Sequence, residues 1–219
     1  MGANFGLVVA IGKPTIAKTF EEIVTALMPY PVIKSEEHHV DTRRDGNVHI
    51  VKTKEGLLEI SSSQVTEKIF KNDLIFLDKL FNSLEQPPII LILQNYDYSN
   101  TFGYVIIENG NIVRKRRSSS GVLLENYGEL LPCETILKNA RPLKAVYNED
   151  LDILEEVSNP DYDDEEIENA YKILGKKELL DEETVSTILL DKVMITYLGK
   201  DLWNWNPEIE SSASFTYAK

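Results

Sequence analysis

The sequence contains little cysteine and no long apolar run, and each of these absences excludes a class of protein. Cys133 is the one cysteine among 219 residues, so no disulfide can form within the chain. Such a composition is typical of a reducing compartment, and we expect a cytoplasmic protein. The longest apolar runs, residues 5–11 and 87–93, fall short of the roughly 18 uncharged apolar residues that a bilayer span needs. The N-terminus lacks the basic segment of a signal peptide, so we predict no association with a membrane.

The common catalytic and cofactor-binding motifs are also missing. Neither of the glycine-rich phosphate loops, GxGxxG and GxxxxGK[ST], is present, and Pro14 removes an N–H group directly after Gly12 and Lys13. The serines at 118–120 precede a glycine but form no GxSxG elbow, which argues against a serine hydrolase. Cys133 has no flanking motif of a thiol enzyme, so we interpret it as a structural thiol. We therefore expect no cofactor and favour a protein that is not an enzyme.

Acidic residues outnumber basic ones by 36 to 23, and the excess lies in one segment. Eleven acidic residues and no lysine or arginine lie between Lys144 and Lys172, while the other 25 acids nearly balance the 23 bases. Such a segment repels phosphate, so we do not expect nucleic acids or anionic membranes as partners. It is either a solvated face that keeps the protein soluble or a patch that docks a basic protein. The candidate binding residues of this acidic patch are Glu155, Glu156, Asp161, Asp163, Asp164 and Glu165.

Turn chemistry and hydrophobic spacing predict an α+β fold. Residues 102–107 and 111–116 flank Asn109-Gly110, the strongest hairpin signal in the chain, and residues 47–53 and 57–61 predict a second hairpin. Helices are expected from residue 20, behind a capping box of Thr19 and Glu22, and over residues 63–84. Repeated strand–helix units are absent, which argues against a parallel nucleotide-binding fold. We predict a mostly antiparallel sheet with helices packed on one face.

The same patterns indicate one domain over residues 1–219, with a possible acidic seam at 144–162 before a helical C-terminal segment. In that segment Asp163 or Asp164 would cap a helix running to Leu174. Asp181 would cap another helix, to about residue 190, and residues 193–198 either continue it or form a strand, with their β-branched and aromatic side chains favouring a strand.

Three histidines raise the question of a metal site. His39, Asp41 and His49, with Glu134, could serve a metal-assisted hydrolase, and this is the alternative to a binding protein. Against it, His38 and His39 would point to opposite sides of a strand, and no HExxH or HxH spacing is present. We therefore predict exposed loop histidines and no metal.

The one basic cluster is Arg114-Lys115-Arg116-Arg117, in the second arm of the central hairpin. In a strand only alternate members share a face, so the cluster does not form a continuous stripe for a nucleic-acid groove. It could contact phosphate or an acidic partner. Protection of an exposed edge strand, or pairing with the chain's own acidic segment, explains it better.

Two stretches of the chain carry short motifs, one leading into the first predicted strand and one following the central hairpin. They are Met1-Gly2-Ala3 in the first, and Val113-Arg114, Gly128-Glu129, Leu131-Pro132 and Glu134 in the second. In these motifs the chain resembles a bacterial family known as a domain of unknown function. The resemblance implies no established activity and no catalytic residue. The acidic patch and the lack of a catalytic constellation favour a bacterial protein that acts by protein–protein interaction, one version being immunity-like neutralisation of a basic toxin.

Overall fold

The structure is a computed structural model that describes residues 5–12, 16–37, 40–148, 153–157 and 167–218. Within these ranges the strands are β1 (Phe5–Ile11), β2 (Val32–Lys34), β3 (Val48–Thr53), β4 (Leu58–Ser61), β5 (Ile89–Tyr96), β6 (Thr101–Glu108), β7 (Asn111–Ser119), β8 (Val122–Tyr127), β9 (Ala140–Asn148), β10 (Ile153–Glu156), β11 (Ile167–Ile173), β12 (Leu179–Asp181) and β13 (Ile209–Tyr217). The helices are α1 (Phe20–Leu27), α2 (Ser63–Phe70), α3 (Leu74–Ser83), α4 (Thr135–Lys138) and α5 (Glu182–Leu198).

The strands form two sheets whose neighbours are all antiparallel. The large sheet has the order β2-β13-β3-β4-β1-β5-β6-β7-β8, and the small sheet has the order β10-β9-β11-β12. Asn109 and Gly110, with φ of 49° and 83°, connect β6 to β7 in the left-handed conformation that this turn requires. The predicted antiparallel α+β fold and its central hairpin are therefore confirmed.

Apolar side chains alternate along β1, so the large sheet is buried on both faces. Val8 and Ala10 pack in one core cluster with residues of α1, α2 and α3. Leu7 and Val9 pack in a second cluster, which contains residues of α5 and of strand β11 in the small sheet. The prediction of helices on one face is not confirmed, since α5 lies on the face opposite α1–α3. None of the helices in the described ranges is long and apolar enough to cross a membrane.

The predicted helix from Asp163 or Asp164 to Leu174 is wrong. Its capping positions lie outside the described residues, and Ile167–Ile173 forms β11, which pairs along its whole length with β9. Tyr171 and Ile173 are buried, two residues apart on one face, whereas Leu174 is exposed. The segment satisfies both the helical and the strand spacing, and pairing with β9 selects the strand.

Two other helix predictions need correction, one in the middle of the helix and one at its end. The predicted helix over residues 63–84 is divided into α2 and α3, because Asn72 takes a positive φ of 59° and Asp73 then caps α3 through the Phe76 N–H group. Residues 193–198 continue α5 instead of forming a strand, and the helix ends at Gly199 with φ of 75°. The predicted capping box of Thr19 and Glu22 at α1 is present.

Candidate functional site

The basic cluster of β7 lies one strand away from the sheet edge, which β8 forms, and its members are buried except for the half-buried Arg117. Alternation places Arg114 and Arg116 on the face of α5, and Lys115 and Arg117 on the face of α2. Edge protection is therefore the wrong explanation. Each cation has its own carboxylate partner, and none of these partners belongs to the acidic segment between Lys144 and Lys172.

Arg114 forms a closed network with Glu134 and Tyr104. Its Nε donates to both carboxylate oxygens of Glu134, at 3.0 and 2.9 Å, and its Nη2 donates to Oε1 at 2.7 Å. Nη1 donates to the carbonyl oxygens of Tyr127 and Gly128, so all three nitrogens of the guanidinium are used. The Tyr104 hydroxyl and the Leu131 N–H group also donate to the Glu134 carboxylate.

Hydrogen bonds outweigh burial in setting the charge of Glu134. Burial alone would raise the pKa of this carboxyl, but hydrogen bonds from Arg114, Tyr104 and the Leu131 backbone hold its pKa below the usual range. Burial and the neighbouring Glu134 charge raise the pKa of the Tyr104 phenol. The Arg114–Glu134 pair is therefore ionised and Tyr104 is neutral at physiological pH.

Arg116 forms a second, open network on the same face. Its Nη2 donates to Glu182 Oε1 at 2.6 Å and, at 3.4 Å, to the Tyr171 hydroxyl. Tyr171 and Ser186 also donate to the Glu182 carboxylate, and Ser186 accepts from Ser118. Among the described residues, Nε of Arg116 has no acceptor. Arg116 is nevertheless only 2% exposed.

On the opposite face, Lys115 and Arg117 lie against α2. Lys115 donates to the carbonyl oxygen of Phe70 and to Asn72 Oδ1, both at 2.7 Å, and forms an ion pair with Glu125 of β8. Arg117 donates to Glu67 at 2.7 Å, and Glu67 also accepts from Gln94 at 2.6 Å. Both cations lie near the Phe70 ring. These contacts tie α2 to the last strands of the large sheet.

A groove of about 830 Å³ lies beside Lys115, between the start of α3 and strands β7 and β8. Leu74, Leu77, Ile112 and Tyr127 supply most of its apolar surface. Asp78 and the Lys115–Glu125 pair are its charged residues, and no ion pair of Asp78 is found in the described ranges. We call this the α3 groove.

A smaller cleft of about 370 Å³ lies on the other face of β8, beside Arg116 and Tyr171. Its walls are mainly apolar and come from β8, from the segment after it, from α4 and from the start of β9. The residues that form these walls are Leu123, Asn126, Gly128, Leu130, Leu137, Ala140 and Pro142. We call this the Arg116 cleft. Strand β8 therefore has a depression on each face, and its outer edge pairs with no other strand that the structure describes.

The sequence-predicted acidic patch is seen only in part. Glu155 and Glu156 are exposed on β10, at one edge of the small sheet, and the Arg141 guanidinium contacts Glu156 at 2.8 Å. Asp161, Asp163, Asp164 and Glu165 lie outside the described residues. Whether the patch binds a partner stays a prediction.

The described members of the predicted metal set do not converge. Asp41 pairs with Arg43 and Arg44, and Arg43 hydrogen bonds hold the pKa of Asp41 below its usual range. His49 on β3 contacts the Ser214 hydroxyl through Nδ1, whereas Glu134 is bound to Arg114 of β7. Five strand spacings of about 4.8 Å separate β3 from β7, or roughly 24 Å.

His38 and His39 fall outside the described ranges. In the part of the chain that is described, no group of three or more His, Cys, Asp or Glu side chains could hold a metal ion. Cys133 is half-buried and lies beside the core of the α5 face.

Comparison with protein-family models, curated proteins and solved structures gave no match. The resemblance to a bacterial domain family therefore stays a prediction. The geometry of this chain is the only evidence for the candidate sites, which are the α3 groove, the Arg116 cleft and the paired cations of β7. The hairpin, with its four consecutive cations, is the sequence signal that points to this region, but no local pattern identifies their partners.

Proposed function

We propose that this protein acts by binding a basic protein partner, and that the partner docks in the α3 groove and against the open edge of β8. Immunity-like neutralisation of a basic toxin is one version of this function. The exposed apolar surface of the groove supports it best: Leu74 and Tyr127 are 66% and 61% exposed, on neighbouring elements that line one depression. Exposed aromatic and apolar side chains around a groove are typical of protein-binding surfaces.

Charge favours a basic partner over a neutral one. The chain has a net charge of −13, which accelerates the encounter with a positively charged protein. Within the groove Lys115 is compensated by Glu125, so Asp78 remains to meet a lysine or arginine of the partner. Glu155 and Glu156, exposed on β10, add to the long-range attraction of a basic partner.

Edge strand β8 offers backbone groups beside the groove. Its sequence, Val-Leu-Leu-Glu-Asn-Tyr, contains none of the lysine, arginine or proline residues that usually protect an exposed edge. By contrast, β2 at the opposite edge is three residues long, follows Pro31 and ends in Lys34. An extended partner segment could therefore pair with β8.

Leu74 and Ile75, two adjacent aliphatic residues of α3, allow the role of the groove to be tested. Leu74→Lys should weaken partner retention at least tenfold, because Leu74 lines the groove and a lysine there repels a basic partner. Ile75→Lys is the matched control, since Ile75 is 84% exposed on the same helix but does not line the groove. The tagged variants and wild type are compared by quantitative pull-down at 50, 150 and 500 mM salt, chosen around the screening range of about 0.1 M.

A stoichiometric partner that binds wild type and Ile75→Lys, fails to bind Leu74→Lys and is released by salt would support the proposal. Equal retention by both single variants, with loss in a Glu155→Lys and Glu156→Lys double variant, would place the partner on the acidic patch instead of the groove. If wild type retains no stoichiometric partner at any of the three salt concentrations, the proposed function is wrong.

A further inference from the structure

Arg116 and Arg114 lie two residues apart on one strand, yet their guanidinium groups are satisfied very differently. Every nitrogen of Arg114 donates to a protein oxygen. The hydrogen bonds of Arg116 within the described ranges come from Nη2, and its Nε is buried there without an acceptor. Buried N–H groups are almost always hydrogen bonded, and a charged group left without partners is costly. Arg116 therefore has unused donor capacity in a buried position.

Glu182, the partner of Arg116, does not take up this capacity in the structure. Its Oε1 accepts from Arg116 Nη2 and Ser186, its Oε2 accepts from Tyr171, and neither oxygen accepts from Arg116 Nε. The unused donors belong to a residue that lines the Arg116 cleft. An acceptor from outside the chain, bound in this cleft, could therefore satisfy Arg116.

The walls of the cleft define what such an acceptor would be attached to. Leu123, Leu130, Leu137 and Pro142 supply apolar surface, and Asn126 stands opposite Arg116 on the neighbouring strand. Among the described residues that line the cleft, Arg116 is the one cation, and Glu182 forms an ion pair with it. A multiply charged phosphate would find too little positive charge here, whereas a single carboxylate on an apolar body matches both the donors and the walls.

We propose that the Arg116 cleft is a binding site for a small apolar carboxylate, whose carboxylate accepts from Arg116 and whose hydrocarbon part lies against the leucines and Pro142. A volume of about 370 Å³ is at the lower end of ligand pockets and suits a molecule the size of an aryl-alkanoic acid. The site lies on the face of β8 opposite the α3 groove, so it does not depend on the proposed partner function.

The direct test is a titration of the full chain with 3-phenylpropionate, with 3-phenylpropionamide as the uncharged counterpart and inorganic phosphate as a third probe. We expect 3-phenylpropionate to bind with a dissociation constant below about 1 mM, corresponding to roughly −4 kcal/mol. The amide and phosphate should bind at least tenfold more weakly. Amide resonances of Leu123 and Asn126 should shift in NMR spectra. An N-acetylated tripeptide ending in leucine, added as a fourth probe, distinguishes a peptide C-terminus from a free acid as the source of the carboxylate.

Asn126→Asp tests the role of Arg116 without removing a buried charge. Directly opposed residues of paired strands have Cβ atoms about 5 Å apart, so the new carboxylate would compete for the unused donors of Arg116. We expect binding of 3-phenylpropionate to fall at least tenfold while the thermal midpoint is unchanged or raised. Asn111→Asp is the matched control. It is the same substitution on β7, but Asn111 lines the α3 groove and does not line the cleft.

Leu137→Trp is a second variant. Its larger side chain should fill the cleft and abolish binding of 3-phenylpropionate, while the Arg116 network stays intact. The proposal is overturned if 3-phenylpropionate causes no shifts at 10 times the expected limit of about 1 mM, set by the affinity scale above. It is equally overturned if the amide or phosphate binds as tightly, or if Asn111→Asp loses binding as strongly as Asn126→Asp.

Discussion

Replacing Glu134 with alanine will lower the free energy of unfolding by roughly 3–5 kcal/mol, the range found when one partner of a buried ion pair is removed. Arg114 and Glu134 are both 0% exposed. The substitution leaves the Arg114 guanidinium, the Tyr104 hydroxyl and the Leu131 N–H group without their acceptor. A water that entered the vacated space would not replace the negative charge of the carboxylate. Urea unfolding followed by circular dichroism at pH 7 measures the loss.

Glu210→Ala is the control for this prediction. Glu210 forms an ion pair with Lys52 at 3.0 Å, but its side chain is half exposed. Its removal should cost less than about 1 kcal/mol, as is usual for surface pairs. If Glu134→Ala lowers the free energy of unfolding no more than Glu210→Ala does, the buried network of Arg114, Glu134 and Tyr104 is contradicted.

A triple variant separates the destabilisation caused by an unpaired buried charge from the net contribution of the Arg114–Glu134 pair to stability. Arg114→Met and Glu134→Leu, combined with Tyr104→Phe, remove all three polar side chains together, and apolar replacements of buried pairs are often neutral. We expect this variant to recover more than half of the loss seen in Glu134→Ala. The carbonyl oxygens of Tyr127 and Gly128 lose their donor in it, so recovery should be incomplete.

The difference between what the sequence predicts and what the structure adds is clear at the β6–β7 hairpin. Asn109-Gly110 specifies the turn, and the turn sets the pairing of Ile106 with Arg114, so local chemistry was sufficient for this part of the fold. The partners of the cations on β7 have no local signal. Glu134 is 20 residues from Arg114, and Glu182 is 66 residues from Arg116. Only the packing of α5 and of the segment after β8 brings these side chains together.

The sequence does not predict the small sheet, for the same reason. Residues 167–174 have apolar side chains at both helical and strand spacing, and the strand β9 that decides between them lies more than 20 residues earlier. The many acidic residues between 144 and 172 argue against strands in this segment, because Asp and Glu are depleted in β-strands. The sequence therefore predicts a candidate site on acidic residues, and it gives no signal for the α3 groove or the Arg116 cleft, which flank β8.

The second large effect is expected at Glu59, whose carboxylate is buried on β4 between Val9 and Val51 of the flanking strands. Its Oε1 has no hydrogen-bond partner in the part of the chain that the structure describes. Burial raises the pKa of this carboxyl from 4.5 to about 7. The Trp205 indole lies close enough to lower this pKa in part, but makes no hydrogen bond of normal geometry, since its Nε1 also lacks a partner.

This raised pKa fixes the sign of a pH effect on stability. Between pH 4.5 and 7 folded Glu59 holds a proton that the unfolded chain has released, so stability falls as the pH rises through this window. Above pH 7 Glu59 is ionised in both the folded and the unfolded chain, and the stability that its bound proton contributed is fully lost. At about 1.4 kcal/mol per pH unit, the cost of folding with a charged Glu59 reaches roughly 3 kcal/mol.

Glu59→Gln removes the charge and keeps the shape, so the variant should be more stable than wild type by roughly 2–3 kcal/mol at pH 8 and nearly equal to it at pH 4.5. Urea unfolding of both proteins at pH 4.5, 6, 7 and 8 measures the difference, which is insensitive to the other titrating groups that they share. Glu129→Gln, at an exposed position after β8, serves as the control and should show no gain at pH 8. A constant difference between wild type and Glu59→Gln across this range would mean that Glu59 is ionised in the folded protein throughout, with its charge satisfied by Trp205 or by water.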